Sequence, residues 1–351
     1  MSLGCRSISK LHIDLDVIVS NWKALDALSD QSVETAAVVK ADAYGCGAET
    51  VAAALHKAGA RNFFVALPSE GAKLRKALGN GAKIYIFSGL MVGDVDVIKN
   101  ANLIPTINAP EQLMRFKTEC AGHAFGIQLD SGMNRLGMEP EDFAPIRAEA
   151  ETADLIISHL ACADEPDHPQ NAQQLNTFHQ MTDGLKVRRS LAATGGTILG
   201  PDYHFDLVRP GIGLHGADPF TAGKNALRLS IPIVQTRIVK KGESVGYGAS
   251  WVAEKDTKVA TIAAGYADGI IRALSFQPPA LFANGIACPV VGRVSMDLIT
   301  VDVSHLDSVP DALDLICDDQ PVDVLANAAG TIGYEILTAL GARFERRYTG
   351  G

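Results

Sequence analysis

The chain has 351 residues, 47% of them apolar, enough for one large domain and one smaller one with filled cores. Its formal net charge of −9 argues against a nucleic-acid backbone or an anionic membrane as main partner, because an acidic surface attracts neither. No apolar run approaches the ~20 residues of a membrane span, and the opening MSLGCRSISKLHIDLD lacks the apolar stretch of an export signal; a cytoplasmic protein is expected.

From about residue 34 to 216, short runs rich in Val, Ile, Phe and Leu alternate with Ala-rich amphipathic stretches. The apolar runs, in chain order, are ETAAVVKA, NFFVAL, KIYIFSG, IPTIN, AFGIQLD, LIISHLA, RSLAAT and FDLVRPGIG. Between the first two lies AETVAAALHKAGA, where Val51, Leu55 and Ala58 fall at helical spacing and Gly59 offers a stop. After the second, Ser69 and Glu70 follow Pro68 at a helix start. Strand and helix alternating eight times suggest a parallel (β/α)₈ barrel. A doubly wound open sheet gives a similar rhythm, but no G-x-G-x-x-G follows the first strand. After about residue 226 the texture changes: IPIVQTRIVKKGESVGYG, TKVATIAAGYADG and CPVVGRVSMDLITVDV read as strands joined by Gly-bearing turns. Helical texture returns only around EILTALGARF. The expected organisation is a barrel over 10–225 and a mostly-β domain over 226–351, with residues 1–9 offering it a further strand. Six cysteines, at 5, 46, 120, 162, 288 and 317, show neither C-x-x-C pairing nor zinc-ligand spacing with His; reduced packed thiols and no metal are expected.

In such a barrel, side chains just past the C-terminal strand ends form the active site. Lys40 closes the first run, Arg135 follows the fifth, His159 ends the sixth, Thr194 follows the seventh and Arg209 lies in the eighth. An unpaired ammonium at a buried strand end is costly. A lysine escapes that cost by snorkelling to solvent or by losing its charge in an imine with an aldehyde. Thr194-Gly195-Gly196 and Gly211-Ile212-Gly213 fall in the loops after strands seven and eight, where barrels commonly bind phosphate. Ordinary turn glycines would look the same.

Taken together, VVKADAYGCG, LDSGMNRLGM, ISHLACAD, DYHFDLVRPGIGLHG, VGYGASW, AAGYADGI, VGRVSMD and TIGYE resemble the motifs of the alanine racemase family, in its order and over nearly the whole chain. The resemblance implies a barrel plus a β domain, pyridoxal 5'-phosphate as cofactor, L- and D-alanine as substrates, and D-alanine for peptidoglycan as the purpose. It implies that Lys40 carries the cofactor covalently and serves D-alanine as base, while Tyr247 serves L-alanine from the opposite face. Tyr44, Thr194, Gly211, Ile212 and Tyr334 would hold the phosphate, and His159 would stand beside the cofactor. Arg209 would meet the pyridine nitrogen; a guanidinium only donates, so that ring should stay neutral. Arg135, Met296 and Asp297 would meet the substrate carboxylate, and Asp164, Tyr266, Arg272 and Arg293 would line the entrance. The active form implied is a homodimer with shared sites.

The chain departs from the family pattern in three places. Gln128 stands where many relatives carry a carbamylated lysine, so Arg135 is expected to be oriented by an amide hydrogen bond or by a bound anion. Ala193 replaces a frequent asparagine and Ser295 a frequent cysteine. A serine racemase or a broader amino-acid racemase of the same fold is the nearest alternative, since one extra hydroxyl is weakly rejected. A non-catalytic cofactor carrier would lack the β domain and Tyr247.

Overall fold

Runs such as Asn62–Val65 and Ile104–Ile107 are buried at every position, which requires a sheet covered on both faces. The computed structural model, which describes residues 9–351, meets that requirement by curling a parallel sheet. Contacts divide the chain into two units, 18–223 and 224–351 together with the segment up to Val17.

Strand β1 (Lys10–Asp14) comes first. The barrel unit then supplies β2 (Glu34–Thr35), β3 (Ala37–Val38), β4 (Asn62–Val65), β5 (Lys83–Ile86), β6 (Ile104–Ile107), β7 (Gly126–Gln128), β8 (Leu155–Ile157), β9 (Arg189–Ser190) and β10 (Leu207–Val208). Strands β3 to β9 pair in sequence order, all parallel. Closure comes from β10, which pairs with β2 through Leu207↔Glu34 and Val208↔Thr35, and meets the strand-seven end through an Ala193↔Arg209 bridge. Because β2 continues into β3 past Ala36, the eight expected runs form one closed parallel barrel rather than an open sheet. Ala36, Val38, Phe64, Tyr85, Ile104, Leu155, Ile157 and Leu207 fill its interior. The first expected helix runs Ala48–Ala58 and stops at Gly59, whose φ of 124° suits glycine. The second runs Pro68–Leu78, with proline in its first turn.

The other unit carries β11 (Leu227–Val239), β12 (Ser244–Val245), β13 (Trp251–Val252), β14 (Thr257–Ile262), β15 (Ala280–Ala283), β16 (Ile286–Pro289), β17 (Ile299–Asp302), β18 (Ala312–Ile316) and β19 (Glu345–Thr349). It is mostly β, with helices at Val322–Ala329 and Gly333–Ala339. The first of these helices has no counterpart in the sequence reading. The extra strand also differs from expectation: it is β1, antiparallel to β11 and parallel to β19. Leu11 and Ile13 need cover on one face and find it there. Residues 1–8 lie outside the described residues. No described helix is long and apolar enough to cross a membrane.

Candidate active site

The barrel ladder sets Lys40. Val39 donates its N–H to Phe64 O at 2.9 Å, so the chain stays in the sheet up to the residue before the lysine. Then Ala41, Asp42, Ala43 and Tyr44 all adopt left-handed backbone, with φ of 51°, 55°, 52° and 58°. None is glycine, and each such residue costs about 1–2 kcal/mol. Four consecutive residues in that state form a turn that local propensity opposes.

Lys40 Nζ lies 5.7 Å from the Phe87 ring centroid. Burial, with Arg135 and Arg209 nearby, pushes its ammonium pKa below the usual lysine value, against the opposing pull of Glu70. His159 is partly buried, and burial, followed by Arg209, Arg135 and Lys40, lowers its pKa to about 3; the imidazole is neutral. Arg209 is buried, and burial lowers its pKa to about 9, so it remains a cation at neutrality. Its guanidinium donates to Ser190 O at 2.8 Å, Ser158 O at 2.6 Å, Leu191 O at 3.4 Å and the Ser190 hydroxyl. The carbonyl ends of the sixth and seventh strands, β8 and β9, thus hold a cation with no carboxylate among these partners.

The Thr194 hydroxyl oxygen accepts the N–H of Gly211 at 3.0 Å and of Gly213 at 3.4 Å. This differs from the expectation that Gly211 offers its N–H to a ligand: Thr194 takes that hydrogen. The hydroxyl proton of Thr194 stays available for donation, and the buried Ile212 follows directly. A Cβ on Gly211 would overlap the Tyr44 hydroxyl and come within 3.1 Å of its Cζ. Tyr44 is itself buried, edge-on to His215 with centroids 5.5 Å apart.

Arg135 is exposed, on a loop organised by a residue the sequence reading passed over. Asp130 Oδ1 accepts the N–H of Gly132 at 2.7 Å and Met133 at 2.8 Å, and Oδ2 that of Arg135 at 3.2 Å. The Asp-Ser-Gly order was the available signal, since Asp bonds backbone two residues on. Gln128 donates to Leu136 O at 3.1 Å. Its amide therefore steadies the peptide beside Arg135 rather than the guanidinium. Asp164 is exposed in the same unit, with its carboxyl pKa raised by burial, then by Asp218 and Glu165.

The remaining candidates lie in the β unit. Tyr247 is 73% exposed on a turn after β12, between Gly246 and Gly248 with φ of 75° and 72°. It lines a cleft of about 560 Å³ with Arg237, Arg293, Ser295, Leu298 and Thr300. Tyr266 and Ala267 donate backbone N–H to Ser295 O and Met296 O, both at 3.0 Å. That stitches the Tyr266 turn to the Arg293, Met296 and Asp297 segment. Gly265 permits it, since a Cβ there would overlap both carbonyls. Asp297 pairs with Arg343 at 2.6 Å. Arg272 opens a 3₁₀ turn whose Ser275 hydroxyl accepts Val294 N–H at 3.0 Å. Tyr334 sits in the first turn of helix Gly333–Ala339.

Lys40, Arg135 and Arg209 thus form a cationic group around a neutral histidine, beside a glycine-bounded hydroxyl cradle. This donor set suits a small phosphorylated aldehyde: an amine eased toward neutrality for the carbonyl, and cations plus a free O–H for anionic groups.

Comparison with known proteins agrees. A family model for alanine racemase, N-terminal domain, matches residues 13–219, and one for alanine racemase, C-terminal domain, matches 226–348. An alanine racemase of Dinoroseobacter shibae is 60% identical over 343 residues, covering 97% of this chain and 98% of its own. One from Rhizobium meliloti is 41% identical, covering 98% and 97%. Among solved structures, alanine racemase from Bartonella henselae with covalently bound pyridoxal phosphate has a TM-score of 0.91 at 35% identity, covering 97% of this chain and 99% of its own. The chain belongs to the alanine racemase family.

Proposed function

We propose that this protein is an alanine racemase that uses pyridoxal 5'-phosphate and works as a cytoplasmic homodimer, supplying D-alanine for peptidoglycan. One arrangement carries the reading: a strand-end lysine with a depressed pKa, among Arg135 and Arg209, beside the Thr194–Gly211 cradle.

In that reading Lys40 holds the cofactor covalently. Thr194 donates its hydroxyl proton to the phosphate, Ile212 its N–H, and Tyr44 closes the cradle against Gly211, with Tyr334 a further phenol. Arg209, which can only donate, faces the ring nitrogen and leaves it unprotonated. When bound, the cofactor supplies an aldehyde carbon for the substrate amine and a ring that acidifies the α C–H. The chain's own groups move the proton. Once the substrate amine has displaced it, the freed Lys40 Nζ would take the α proton from D-alanine while the Tyr247 Oη delivers a proton to the opposite face; for L-alanine the Tyr247 Oη would take and the Lys40 Nζ would deliver. Lowering the amine's pKa enlarges the neutral fraction that can accept a proton at neutral pH. Arg135 offers a fork to the substrate carboxylate, aided by the Met296–Asp297 segment. Tyr266, Arg272, Arg293 and Asp164 line the entrance. The exposure of Tyr247 and Leu298, which line one cleft, supports a second subunit covering this surface.

The test is an oxidase-coupled assay for the D-product on L-alanine and L-serine, with visible absorbance recorded alongside. L-alanine turnover, and a band lost in Lys40→Ala, are expected. A colourless protein, or preference for L-serine, contradicts the reading.

A further inference from the structure

The left-handed turn after Lys40 needs anchors at both ends. At its far end, Asp42 O accepts Gly47 N–H at 2.8 Å and Asp42 Oδ1 accepts Ala48 N–H at 2.8 Å. At its near end, the first peptide after the lysine is held by a residue on another element: Ala41 donates its N–H to Glu70 Oε1 at 2.7 Å. The same carboxylate's Oε2 accepts the N–H of Ala66 at 2.8 Å and of Leu67 at 3.1 Å. Those two residues follow β4, the neighbour of β3 in the barrel. Capping helix Pro68–Leu78 engages only Oε2; Oε1 is surplus to the cap and goes to Ala41. The charges acting on the lysine amine are Arg135 and Arg209, which favour the neutral form, and Glu70, which favours the cation.

We propose that Glu70 is a positioning residue for Lys40: its carboxylate clamps the Ala41 peptide to the head of the neighbouring strand, fixes the turn that aims the amine, and supplies the anion opposing Arg135 and Arg209. The inference rests on the reading of Lys40 as the reactive amine. It requires a side chain with two accepting oxygens and a negative charge. Glutamine has one accepting oxygen and no charge, and aspartate is one methylene shorter and reaches the cap alone.

The experiment compares full-length wild type, Glu70→Gln and Glu70→Asp by three readouts. Hydrogen exchange over residues 40–46 should accelerate about tenfold or more in both variants, the loss of one anchoring bond. In cofactor-stripped protein, the pH midpoint for acetylation of Lys40 by acetic anhydride should move down by about half a unit or more in Glu70→Gln, because an attractive charge is gone. Racemisation should lose kcat with KM little changed, and Glu70→Asp should regain thermal stability without regaining protection at Ala41. A Glu70→Gln protein that melts earlier yet keeps wild-type exchange and midpoint would reduce Glu70 to a helix cap and overturn the proposal. If Glu70→Gln does not fold, wild-type exchange decides: an Ala41 amide exchanging as fast as a solvent-exposed one overturns it, and a protected one supports it. Retention of cofactor by Lys40→Ala would instead sink the functional reading, and leaves the exchange and midpoint results interpretable.

Discussion

Gly211 lies against the phenol of Tyr44 so closely that no side chain fits between them: an added Cβ would overlap the hydroxyl and approach Val38 Cβ to 3.3 Å. The glycine is there for space. Its φ of −131° lies outside the left-handed region that favours glycine, and the close approach of Tyr44 is the constraint a side chain would meet.

Gly211→Ala should therefore displace Tyr44, cost about 1–3 kcal/mol of stability from overpacking, and weaken retention of pyridoxal phosphate. Tyr44→Phe removes the overlapping hydroxyl, so the double variant should regain part of the stability. Thermal melts and cofactor dissociation measured by fluorescence check both. Equal losses in single and double variants would show that the two residues do not press on each other.

Asp130→Ala should free the loop that carries Arg135, because three backbone N–H groups lose their acceptor. Binding of the substrate carboxylate suffers first. A KM for alanine raised about tenfold, equivalent to about 1.4 kcal/mol, with kcat less affected, is the expected outcome in steady-state kinetics. An unchanged KM would remove Asp130 from the site's support.

Stability should fall on mild acidification. Burial lowers the pKa of His215 to about 4, and burial with neighbouring cations lowers that of His159 to about 3, from an ordinary value near 6.5. Both rings are neutral when folded and gain protons on unfolding. Their contribution is complete above about pH 6.5 and is lost as pH falls from there toward 4, at about 1.4 kcal/mol per pH unit for each ring. Urea midpoints between pH 7 and 4.5 should show the slope, and His215→Phe should flatten it. A flat wild-type profile contradicts the burial argument.

Tyr247→Phe should leave the visible cofactor band intact, since in the proposed reading Lys40 and the Thr194 cradle, not Tyr247, hold the cofactor. Conversion of L- to D-alanine should drop at least about a hundredfold. Normal turnover would end the two-base assignment.

Much of this was readable along the chain. Strands buried on both faces leave continuous apolar runs, and Ala-rich segments mark the covering helices, so the barrel's rhythm survives in one dimension. Lys40, Thr194 and Arg209 were legible because strand ends locate a barrel's mouth. Glu70 and Asp130 were not singled out as site supports: a carboxylate at a helix start or in a turn has the same pattern whether it serves its own element or another.

What the sequence determined by itself is the alternation that builds the barrel and the motifs that place an amine, a hydroxyl and cations at its rim. Tertiary structure alone decided the pairing of Lys10–Asp14 with Glu345–Thr349, because strand partners at opposite ends of a chain leave no local trace. It also decided the left-handed turn of Ala41 to Tyr44. Local propensity opposes that conformation, and hydrogen bonds offset the cost: Gly47 and Ala48 donate to Asp42 within the turn, and Ala41 donates to Glu70 on another element, a partner with no local trace in the sequence.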